Sequence, residues 1–70
     1  MLILKLDDLM AEKRINTRQL SEMTGIRWNT LDDMKKNKAR QWSPENLEKI
    51  MVALDIKNVS DLIKRVEESR

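Results

Sequence analysis

Gly25 is the only glycine in the chain, and it falls between two short segments that both read as helices. The first opens at Asn16, a strong N-cap residue, with Gln19 three residues on at the spacing of a capping box. Ile15 and Leu20 flank that start as a hydrophobic staple. The pattern predicts a helix from Thr17 to Met23 or Thr24, ended by Gly25, which takes positive φ without a side-chain penalty. The next helix is expected from Arg27 to about Lys36, with Ile26 and Leu31 repeating the staple spacing. So short a connection cannot hold the two helices antiparallel and stacked, so they should cross steeply. Ser21, four residues before Gly25, supplies the small side chain that a close crossing needs.

The rest of the chain is expected to be helical as well. One glycine and one proline leave little material for the turns of an all-β fold, and Leu, Met, Lys, Glu and Arg favour helices. Leu6, Leu9 and Met10 share a helical face, which predicts a helix over about 5–14. Leu2, Leu4 and Leu6 instead alternate, so residues 1–4 read as an extended lead-in able to pair with another chain edge. Asn37 can take the left-handed position after the third segment. Ser43 is the expected N-cap of a fourth helix, with Pro44 at N1, where its missing N–H costs nothing. A fifth is expected to begin near Asn58 and to carry Leu62, Ile63 and Val66. The expected fold is therefore all-α, one compact five-helix domain over residues 1–70, with a short extended segment at its N-terminal end. Its expected core is Leu6, Leu9, Met10, Ile15, Leu20, Ile26, Leu31, Met34, Leu47, Ile50, Met51, Leu54, Ile56, Leu62 and Ile63. Trp42 is expected to pack on Leu47 and the first helix, with a contact between copies as the alternative.

Composition narrows the function. Seventy residues can build only one small core. With no cysteine and no histidine there are no disulfides, thiol nucleophiles or imidazole bases, and most zinc sites are excluded. No metal, cofactor or enzymatic activity is expected. No apolar run approaches the roughly 18–20 residues that cross a membrane. Met1 to Leu4 is too short for a signal peptide, so a soluble cytoplasmic protein with no membrane partner is expected. The net charge is only +2, yet residues 27–40 hold five basic side chains against Asp32 and Asp33. That local excess suits a polyanion, although a solvated basic surface is the plain alternative.

These residues carry a resemblance. The run from Ile15 to Ile26, then Asn29-Thr30-Leu31, then Lys36-Asn37-Lys38, resembles the Cro/C1-type helix-turn-helix family of phage repressors and small bacterial regulators, with the unit at 16–37. Ser43-Pro44-Glu45-Asn46-Leu47-Glu48-Lys49-Ile50 with Ala53-Leu54 is similar to its fourth helix, and Asp61-Leu62-Ile63 to its fifth. The resemblance implies a sequence-specific DNA-binding transcriptional regulator: a repressor of a phage, mobile element or small bacterial operon. It departs from the usual family pattern at Arg27, Trp28, Asp32 and Asp33.

At 100° per residue Trp28, Asn29, Asp32, Asp33 and Lys36 share one face of the third helix, while Leu31 and Met34 lie towards the other. Base reading in the major groove is assigned, by resemblance, to Trp28, Asn29 and Asp33, with Arg27 beside them. An asparagine can pair with adenine, a carboxylate can accept from cytosine, and an indole can pack on thymine methyls. The alternatives are a core position for Trp28 and an unengaged surface amide at Asn29. Phosphate contacts are expected from Asn16, Thr17 and Arg18 at a helix N-terminus, and from Thr30, Lys35, Lys36, Lys38 and Arg40. Asp32 and Asp33 oppose a polyanion unless they find donors, and Asp32 can pair with Lys36 one turn on. The expected partner is double-stranded DNA, a palindromic operator bound by a homodimer. Met1–Leu4 and Leu62, Ile63 and Val66 are the expected dimer contacts. A second reading is a protein-interaction module, an antirepressor or adaptor gripping a protein through Trp28, Asp32 and Asp33.

Overall fold

The computed structural model describes residues 1–38 and 41–67. Among them the order is strand β1 (Leu2–Leu4), helices α1 (Leu6–Lys13), α2 (Thr17–Thr24), α3 (Trp28–Lys35) and α4 (Pro44–Ala53), a single 3-10 turn (Val59–Asp61) and strand β2 (Ile63–Arg65). The helix boundaries follow the caps. Asn16 Oδ1 accepts the Gln19 N–H at 2.7 Å while Gln19 Oε1 accepts the Asn16 N–H at 3.0 Å, so the capping box is complete. Ser43 Oγ accepts the Asn46 N–H at 3.0 Å, with Pro44 directly inside the helix. Arg27 makes no side-chain cap for α3.

The far ends close by a shared device. Arg14, Asn37 and Asp55 all adopt positive φ after α1, α3 and α4. The following N–H then reaches back five residues: Ile15 to Met10, Lys38 to Asp33 and Ile56 to Met51, each at 2.8–2.9 Å. These are left-handed caps that close the last carbonyls, built here on non-glycine residues. Gly25 serves α2 at φ 76°.

Among the described residues there is no fifth α-helix. Asn58 opens only the 3-10 turn, and from Ile63 the backbone is extended and pairs antiparallel with β1, Leu2 opposite Arg65 and Leu4 opposite Ile63. A nascent helix of this length lacks the hydrogen bonds to offset its nucleation cost. The β-branched Ile63 and Val66 favour a strand, and the lead-in offers a ready partner. The described residues accordingly form four α-helices and a two-stranded ribbon.

The core gathers Leu4, Leu6, Met10, Leu20, Ile26, Leu31, Met34, Ile50, Leu54 and Leu62, with Leu9, Ile15, Trp42, Leu47, Met51, Ile56 and Ile63 packed around it. Every residue expected in the core is in one of these two layers. Leu4 was not expected there; it is carried inward by the strand pairing. Leu62, expected at a dimer contact, is fully buried in the chain's own core and is not available to a second copy.

Candidate nucleic-acid interface

The turn between α2 and α3 is tied by side chains as well as by Gly25. Ser21 Oγ donates to the Ile26 carbonyl at 2.6 Å. Thr24 Oγ1 donates to the Leu20 carbonyl at 2.8 Å and accepts the Ile26 N–H at 3.1 Å. These bonds satisfy polar groups that a tight turn strips of helical partners, and they hold Ile26 inward as the first anchor of α3. Ser21 is therefore small for the crossing and a fastener of the turn.

With Ile26, Leu31 and Met34 buried, α3 turns its opposite face outward. Trp28 is 50% exposed, and Arg27, Asn29, Asp33 and Lys36 are exposed beside it. The alternative of Trp28 as a core residue is excluded, because the core positions on α3 are already filled. Thr30 is half-buried on the flank. Asp32 is held by Lys36, Nζ to Oδ2 at 3.0 Å, with the carboxylate only 19% exposed. That pair cancels one of the two negative charges on the outward face and occupies one of the expected phosphate contacts. Among the described residues Asp33 has no ion-pair partner. It stays available to a donor such as a base amino group.

The expected phosphate contacts divide. At the start of α2 the first backbone N–H groups have no intrahelical acceptor. Asn16 and Arg18 are exposed there, and Arg18 lies 3.8 Å from Glu22 on its own helix. The Thr17 side chain is buried, 7% exposed, so that position can offer an anion only its N–H. Lys35 leans away towards α1, Nζ 3.9 Å from Asp7 Oδ1. Lys38 is exposed just beyond α3, and Arg40 lies outside the described residues. Among the described residues, the expected phosphate contacts left unpaired are the first N–H groups of α2, ahead of the capped Gln19 N–H, and Lys38 just beyond α3.

Two packed helices joined by a short turn, the second with its polar face unpacked, suit entry into a major groove. A family model described as a Cro/C1-type helix-turn-helix DNA-binding domain matches residues 5–68. The chain belongs to that family. No curated protein and no solved structure gives a significant match to it. As a Cro/C1-type domain it is a DNA-binding domain. No helix among the described residues is long and apolar enough to cross a membrane.

One contact was not legible in the sequence. The Asn37 carboxamide reaches β1 and bonds both backbone groups of Leu4. Its position after α3 signalled a helix end; nothing local signalled a partner 33 residues away. Trp42 packs against the core, with its Nε1 buried and without a hydrogen-bond partner among the described residues.

Proposed function

We propose that this Cro/C1-type domain is a sequence-specific transcriptional repressor that reads the major groove with α3. The observation that carries this reading is the exposed Trp28–Asn29 pair at the start of α3, held out by a buried opposite face. Asn29 suits an adenine edge, Trp28 the thymine methyls or sugars beside it, and Asp33, one turn on, a cytosine amino group. Arg27 lies next to them at the same helix start. Lys38, Arg18 and the free N–H groups at the start of α2 supply sequence-independent contacts to phosphates. One such domain presents few base-reading side chains. Specificity then calls for two copies on a palindromic site with half-sites about 34 Å apart.

Selection of bound duplexes from a random pool tests this. The expected result is an enriched palindrome whose affinity is lost selectively in Asn29→Ala and at all sequences in Lys38→Ala. No enrichment, together with early elution from heparin as salt is raised, would instead favour an adaptor that grips a protein through Trp28 and Asp33.

A further inference from the structure

Arg14, Asn37 and Asp55 each end a helix in the left-handed region, and the residue after each closes the cap with the same backbone bond. Of these three side chains, only that of Asn37 hydrogen-bonds another element among the described residues: its carboxamide holds the N–H and the C=O of Leu4. The anchor is rigid. Leu4 is 2% exposed in the core and faces Ile63 across the ribbon. Directly after it, the Lys5 N–H donates to the Leu62 carbonyl at 2.7 Å. The end of α3 is therefore fastened to the core by a side chain, which the ends of α1 and α4 are not.

The residue this serves is Lys38. Its N–H donates to the Asp33 carbonyl at 2.8 Å, and it is exposed directly after the fastened residue. The other two lysines at this end are engaged, Lys36 with Asp32 at 3.0 Å and Lys35 with Asp7 at 3.9 Å. Among the described residues Lys38 has no ion-pair partner. A helix end held only by its last backbone bonds frays. A lysine on a fraying end must have both main chain and side chain ordered when it meets a phosphate, and that ordering is subtracted from affinity. The carboxamide orders the main chain in advance, which leaves only the side-chain torsions to be fixed on binding.

We propose that Asn37 is a positioning residue for DNA binding: by joining the end of α3 to the buried Leu4, it holds Lys38 in place to meet a phosphate. The inference rests on the proposed phosphate contact of Lys38 and adds what that contact depends on, a side chain anchored 33 positions away. Asn37 itself need not touch the duplex; it acts through its neighbour.

A double-mutant cycle on affinity for a labelled random-sequence duplex tests this, at a temperature where circular dichroism shows every variant folded. Asn37→Gly keeps the left-handed backbone and is expected to weaken binding about three- to tenfold. Lys38→Ala should weaken it as well, and the double variant should bind no more weakly than Lys38→Ala alone. Ile50→Val, a core change on α4, is the control for stability and should leave the affinity of the folded protein unchanged. Hydrogen exchange of the unaltered chain needs no variant: the Lys38 N–H should be protected to a similar degree as the Leu4 N–H, as parts of one opening unit. Losses that multiply in the double variant, an equal loss in Ile50→Val, or a Lys38 N–H exchanging as in an unstructured chain would each overturn the positioning role. The two readings fail differently. If Lys38→Ala leaves binding intact, the phosphate contact is lost and the positioning with it; if Lys38→Ala weakens binding but Asn37→Gly does not, only the positioning is lost.

Discussion

The Asn37 carboxamide acts on Leu4 as a neighbouring strand would: Oδ1 accepts the Leu4 N–H at 2.7 Å and Nδ2 donates to the Leu4 carbonyl at 3.1 Å. One residue thus ends α3, at φ 58°, and seals the strand edge beside it. The reading helix is tied to the ribbon through this side chain. Asn37→Gly keeps the backbone conformation and loses both bonds, with an expected cost of about 1–3 kcal/mol. Asn37→Ala adds roughly 1 kcal/mol more for a left-handed residue with a Cβ. Asn37→Asp should also destabilise, because a carboxylate cannot donate to the Leu4 carbonyl. Urea unfolding of the three variants checks the order, and a glycine variant as stable as wild type would show the latch to be idle.

Trp28 is 50% exposed and Leu31 fully buried on the same helix, so the two should separate binding from stability. Leu31 is fully buried, so Leu31→Ala is expected to cost about 2–5 kcal/mol. Trp28→Ala should stay within about 0.5 kcal/mol of wild type, as for other surface changes, while weakening DNA binding. The indole emission should respond to added DNA in the wild type and not in Trp28→Phe, where the half-buried Trp42 alone reports.

The acidic residues of α3 should act unequally on DNA. Asp33→Asn removes an unpaired negative charge from the outward face, so affinity for arbitrary duplexes should rise while discrimination at one base position falls. Asp32→Asn frees Lys36 from its 3.0 Å partner and should steepen the salt dependence. Lys38→Ala should do the reverse, lowering the slope of log affinity against log salt by about one. Titrations at several salt concentrations check all three, and identical slopes throughout would remove Lys36 and Lys38 from the phosphate contacts.

Arg14 ends α1 at φ 57° with a full side chain. Arg14→Gly should therefore stabilise the fold by about 0.5–1 kcal/mol, the relief of the left-handed penalty less the entropy of a freer unfolded chain. Gly25→Ala should destabilise it by about 1 kcal/mol through backbone strain alone, since a Cβ there meets nothing within 4 Å. Thermal or urea unfolding of the two variants gives both signs directly.

Local signals were enough for the reading unit. The Asn16–Gln19 box, the lone glycine, Ser43-Pro44 and the apolar spacing located α2, α3 and α4 to within a residue or so. The outward face of α3 followed from helical period once Leu31 and Met34 were assigned inward. The segment after Asn58 was misread because Leu62, Ile63 and Val66 also fit a helical stripe. A short apolar run carries no period long enough to separate helix from strand.

Caps, staples and period act between residues a turn or less apart, so the chain itself determined its four helices, the turn at Gly25 and which side of α3 faces out. Whether residues 1–4 would pair, and with what, depended on Ile63–Arg65, some sixty positions away. The same holds for the Asn37 latch and for the burial of Leu62. A strand has no hydrogen bonds of its own to complete, so its existence is decided by the partner that folding brings alongside.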